Sequence, residues 1–189
     1  MKKIIPAVAL FIFSASIFTR AQTPDKPAQT PPPAAAAPAK PVDPLAWLVG
    51  GVWKADASQL GPGMKRIETR YEWSDNGAYL HFTTHFIFDK GTLKNYDGSF
   101  FWEPDSKSLA MWYVDRAGNI TKGPVQWSGD RIRINWHGPD FDGNPADLQV
   151  DVTRKTNDLY HWAASEKVNG EWKEMAALDY TRDATIKTP

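Results

Sequence analysis

His81 and His85 stand four residues apart in Tyr79-Leu80-His81-Phe82-Thr83-Thr84-His85-Phe86-Ile87-Phe88, and on a helix that spacing would suit chelation of a metal ion. The flanking residues argue against a helix. Two threonines, Ile87 and the surrounding aromatics favour an extended strand, where positions four apart are separated by about 13 Å at roughly 3.3 Å per residue. A zinc–nitrogen bond is only about 2.0 to 2.1 Å long, so one strand does not clasp one ion with both rings. No HExxH motif accompanies them, and the expectation is no metal site. His137 precedes Gly138-Pro139 at a strand end, and His161 lies between Tyr160 and Trp162. Either could face a cavity, a hydrogen-bonded structural histidine being the commoner outcome, and a single histidine suffices to ligate haem.

Glu174 carries the other chemical expectation. Counting by twos along Trp172, Glu174, Ala176, Leu178 and Tyr180 puts a carboxylate on an otherwise apolar strand face. Burying an unpaired charge is costly, so such a group would find a partner or give up its charge, and it would serve to orient a ligand or to move a proton. A one-residue bulge would instead turn Glu174 outward. Other chemistries find little support. The chain has no cysteine, no G-x-S-x-G elbow and no phosphate-cradling glycine loop. Asp140-Phe141-Asp142-Gly143-Asn144 begins like a calcium loop, but counting from Asp140 puts Pro145 and Asp151 where an EF-hand needs glycine and a bidentate glutamate.

These residues sit in short runs that alternate apolar and polar positions, separated by Ser74-Asp75-Asn76-Gly77, Pro104-Asp105-Ser106-Lys107, Asp115-Arg116-Ala117-Gly118-Asn119, Ser128-Gly129-Asp130 and Val168-Asn169-Gly170. Asparagine and glycine tolerate the positive φ of tight hairpin turns. Ten strands follow: 52–57, 65–73, 78–89, 95–103, 108–114, 120–127, 131–137, 147–153, 159–167 and 171–182. Joined by short hairpins, they predict an all-β, antiparallel up-and-down barrel, which buries its edges by closing on itself. A short helical turn over 45–49 would plug one end. The apolar register points Tyr71, Thr84, Trp112, Trp162, Glu174 and Tyr180 inward as candidate ligand-binding residues, with Trp102, Trp127, Trp136 and Trp172 in the same wall.

Ahead of this domain, at 45–189, lie two segments of different character. Lys2 and Lys3, an apolar run from Ile4 to Phe18 and Thr19-Arg20-Ala21 form a secretory signal peptide over 1–21. Its apolar run is shorter than the roughly 18 residues of a membrane span, so no transmembrane segment is expected. Residues 22–44 hold eight prolines and six alanines, with too little to bury to offset the entropy of folding, and read as a disordered linker. The chain is therefore expected to be exported, to a periplasmic or extracellular location. Its 22 basic residues match its 22 acidic ones, and removing Lys2, Lys3 and Arg20 leaves 19 against 22. That balance argues against nucleic acid as a partner.

Trp47-Leu48-Val49-Gly50-Gly51-Val52-Trp53-Lys54-Ala55-Asp56 contains Gly51-Val52-Trp53, which resembles the G-x-W of the first lipocalin strand. Together with "YEWSDNGAYLHF", "FFWEPDSKSLAMWYVD", "GPVQWSGDRIRINW" and "NGEWKEMAALDYTR", the domain is similar to lipocalin-like (calycin superfamily) secreted bacterial β-barrel proteins, and more distantly to nitrobindin and fatty-acid-binding proteins. The resemblance implies that Trp53 closes the barrel bottom beneath Arg182, a cation stacked on an indole. It also departs from the pattern: the T-D-Y motif has no match. Nitrobindin-like proteins hold haem through a histidine near the C-terminal strands, and the last strand here has none. That disfavours haem and leaves His161 as its one candidate ligand. The leading expectation is a lumen that binds a small, mainly apolar or aromatic molecule, since aromatic-lined pockets with a few polar groups are the usual form of such sites. Two rivals follow from the same residues: an acid-base isomerase or lyase using Glu174 or His161, and a cavity-free envelope interaction domain whose tryptophans fill the lumen.

Overall fold

The structure, a computed structural model, describes residues 40–140 and 143–185. The expected signal peptide at 1–21 and the linker up to residue 39 lie outside the described residues. Ten strands form the domain: β1 Val52–Asp56, β2 Met64–Trp73, β3 Leu80–Phe88, β4 Gly91–Glu103, β5 Ser108–Asp115, β6 Ile120–Ser128, β7 Arg131–Pro139, β8 Pro145–Arg154, β9 Leu159–Val168 and β10 Glu171–Asp183. Each pairs antiparallel with the next, and β1 pairs with β10 to close the ring. The architecture is thus an all-β, up-and-down barrel of ten strands. All ten predicted strands are present, and the largest discrepancy is β4, which starts at Gly91 rather than Asn95. Asn169 and Gly170, both at positive φ (55° and 87°), make the two-residue β9–β10 turn that the strand twist requires.

One end of the barrel is shut by a 3-10 helix over Asp43–Leu48, two residues earlier than the helical turn expected at 45–49. Val42, expected in the linker, is as fully buried in the core as Leu45, the first residue of the expected domain. Two side chains tie this plug down. Trp53, also fully buried, donates from Nε1 to the Leu48 carbonyl at 2.7 Å. The Arg182 guanidinium lies 4.4 Å from the Trp53 ring centroid. Its Nη1 donates to the Val49 carbonyl at 2.7 Å and the Gly50 carbonyl at 3.3 Å. Nη2 donates to Asn157 O at 2.9 Å and to Trp47 O. Arg182 Nε sits 3.4 Å from Asp158 Oδ1, an ion pair without hydrogen-bond geometry. A helix end leaves carbonyls without partners, and this one side chain supplies them.

Above the plug the interior is packed by Ile67, Leu80, Phe82, Phe100, Met111, Ile132 and Ile134, one face of successive strands as period-two alternation requires. Among the described residues, no helix is long and apolar enough to cross a membrane.

Candidate functional site

The lower packing stops short of the other end. There the barrel encloses a cavity of about 470 Å³ that runs from Tyr71 and Thr84 up to the β5–β6 and β7–β8 loops. Its size falls inside the range of small-molecule sites. The interior is therefore not solid, which overturns the expectation of a tryptophan-filled, cavity-free barrel.

An arc of rings forms one wall. Phe86 meets Tyr96 edge-on at 5.8 Å, Tyr96 meets Tyr113 at 4.9 Å, and Tyr113 meets Trp136 at 6.4 Å between centroids. Trp162, Met111 and Met175 contribute to the same lining. Strand alternation positions the arc: Tyr96 lies two and four residues from Gly98 and Phe100 on β4, and Tyr113 two from Met111 on β5. Gly98 has to be a glycine, because a Cβ there would lie 2.3 Å from the Trp112 carbonyl oxygen and 2.7 Å from the Phe82 ring.

Polar groups divide by depth. At the mouth stand Asp115, Arg116 and Asp140. Asp115 Oδ1 accepts from the backbone amides of Ala117 and Asn119, and Oδ2 from the Asn119 side chain. Burial pushes its carboxyl up, but these hydrogen bonds outweigh burial and hold it below the usual carboxylate range. Deeper in, the polar groups are hydroxyls. Thr69 and Thr84 share a hydrogen bond at 3.0 Å, Tyr180 interacts with Thr69, and Tyr71 with Tyr160. Burial pushes the Tyr71 hydroxyl up to about 12. Burial, then the neighbouring Tyr113, does the same for Tyr96, also to about 12. Burial raises Tyr113, Tyr160 and Tyr180 as well. All five keep their protons at neutral pH, so the wall offers neutral hydrogen-bond partners rather than bases.

The six candidate ligand-binding residues separate. Tyr71, Thr84 and Trp162 line the cavity. Tyr180 is buried but stacked on Tyr160 (4.8 Å, 13°), outside the lining. Trp112 and Glu174 are corrections. Trp112 pairs across to Ser99 and Lys122, while its neighbours Met111 and Tyr113 face in, so it stands on the outer face. Glu174 is exposed. The β9–β10 register shifts between Glu174 and Ala176, and Met175 is the extra residue; Glu174 pairs with Ser165 while Ala176 pairs with Ala164 of the lumen wall. The bulge turns the carboxylate out. Trp102, Trp127 and Trp172, expected inside, are exposed at strand ends.

The histidines also lie outside the lumen. His81 Nε2 is 2.6 Å from Asp97 Oδ1, His137 Nδ1 2.9 Å from Asp147 Oδ1, and His161 Nδ1 2.8 Å from Asp179 Oδ1, each across a pair of neighbouring strands. His85 faces Glu68 in the β2–β3 register. His161, opposite Asp179 between the inward Tyr160 and Trp162, therefore points away from the lumen, as does Glu174, and neither is placed for acid-base chemistry or haem ligation there. Among the described residues, no three His, Cys, Asp or Glu side chains are grouped to hold a metal ion.

Reading the sequence missed Tyr96, Tyr113, Met111, Asp115, Arg116 and Met175. Counting back by twos from Phe100 would have found Tyr96; nothing in the sequence marks Met175. No protein-family model matches the chain, and no curated protein matches it.

Proposed function

We propose that the protein is an exported, lipocalin-like barrel that holds a small, mainly apolar or aromatic molecule in its lumen, in the periplasm or outside the cell. The observation that carries this reading is the cavity of about 470 Å³, walled by the Phe86–Tyr96–Tyr113–Trp136 arc and open at one end only, the other being plugged by the 3-10 helix. Such a wall rewards the transfer of a flat apolar body out of water, at roughly 25 cal/mol per Å² buried. The signal-peptide pattern at 1–21 supports export, and Gly51-Val52-Trp53 with Arg182 supports the lipocalin likeness.

Trp136 and Trp162 line the cavity and report on its contents. Titration with a panel of fatty acids, haem and aromatic compounds is expected to shift or quench tryptophan emission for at least one class. Ala164→Phe, which puts a ring into the lumen from a buried wall position, should weaken that binding by at least about tenfold while leaving the circular dichroism spectrum unchanged. A silent panel, or an Ala164→Phe protein that binds as well as wild type, would overturn the assignment.

A further inference from the structure

The charge distribution along the lumen restricts what enters it. Among the described residues, the charged side chains in the lining are Asp115, Arg116 and Asp140, all at the mouth. Below them the wall is aromatic, aliphatic or uncharged polar. A carboxylate or ammonium driven to the inner end would lose its hydration and meet no opposite charge, a larger penalty than leaving a neutral polar group unpaired.

Thr84 is the polar group that marks that inner end. It is 8% exposed, yet its side chain lines the cavity. The Thr69 and Thr84 hydroxyls share one hydrogen bond at 3.0 Å. That single link consumes one of their two protons, and with Thr69 as its donor the Thr84 proton is free to meet an acceptor in the cavity. Desolvation keeps the neighbouring tyrosines protonated, so this end of the lumen stays neutral across the ordinary pH range.

Building on the lumen-binding reading, we propose that the ligand is an uncharged molecule with an aromatic or aliphatic body and a hydrogen-bond acceptor, a carbonyl or ether oxygen, at its leading end, received by the Thr84 hydroxyl. Carboxylates of the same shape are selected against.

Three probes separate the possibilities: butylbenzene, which has no acceptor; benzylacetone, which has a ketone; and hydrocinnamate, which matches benzylacetone in shape but carries a charge. Calorimetric titration of the full chain is expected to rank benzylacetone first and hydrocinnamate at least about tenfold weaker. Thr84→Val keeps the shape and removes the hydroxyl. It should weaken benzylacetone roughly fivefold to tenfold and leave butylbenzene unchanged, with Thr84→Ser restoring the preference. Hydrocinnamate binding as tightly as benzylacetone, or Thr84→Val affecting ketone and hydrocarbon alike, would overturn the proposal, while butylbenzene binding would still uphold an apolar lumen site. If none of the three binds, both readings fall.

Discussion

At the scale of single residues, Arg182 does the most with one side chain. It covers the Trp53 ring and donates to four carbonyls, those of Trp47, Val49, Gly50 and Asn157. Arg182→Met would keep an apolar stem over the indole but strand those acceptors. Its expected cost is about 2 to 4 kcal/mol in urea unfolding, without a change in lumen affinity, because the plug lies at the far end from the cavity. A loss under about 0.5 kcal/mol would show the carbonyls to be satisfied by water instead. This contact was expected from the resemblance of Gly51-Val52-Trp53 to G-x-W, which implies an arginine over the tryptophan, here Arg182 near the end of β10. The outward placement of Trp112 was not. Leu109 through Val114 is apolar on both faces of β5, so alternation names no inner side, and the bulkiest ring was the natural but mistaken choice.

At the scale of the elements, the strands were readable because period-two runs and Asn-Gly or Gly-Asp turns mark both their lengths and their ends. Registers within them were readable only where nothing interrupts the count. Met175 interrupts it, and everything on β10 before that position changes sides. Deleting Met175 should restore an unbroken ladder and leave Glu174, then adjacent to the inward Ala176, on the outer face opposite Ser165. The lumen loses the Met175 side chain from its lining, so the expected result is weaker ligand binding in calorimetry, unchanged by adding Glu174→Gln. A deletion variant whose binding Glu174→Gln restores would mean that the carboxylate has turned inward.

Across the whole molecule, the tyrosines link stability to alkaline pH. Burial holds Tyr71 and Tyr96 at about 12 in the folded protein, against an ordinary value of 10.0. The folded values are raised, so the associated stability is complete below pH 10 and drains away as pH rises through about 12, where the unfolded chain ionises first. Denaturant midpoints measured at increasing pH should fall over that window, with tyrosinate absorbance appearing together with unfolding. Midpoints that stay flat to pH 12 would contradict the buried placement of these hydroxyls.

The ring is sealed where β1 meets β10, through only three paired positions: Val52 with Asp183, Trp53 with Arg182 and Lys54 with Thr181. Every other seam joins neighbours in the chain and has more paired positions, the shortest having four. Nine hairpins can therefore zip locally while the tenth joint waits for residues some 130 positions apart to find each other. Such a closure is slow by its topology, and until it happens β1 and β10 offer unpaired edges to any other strand nearby. A chain caught half-assembled would thus be an adhesive ribbon, and the yield of finished rings depends on how soon those two margins meet.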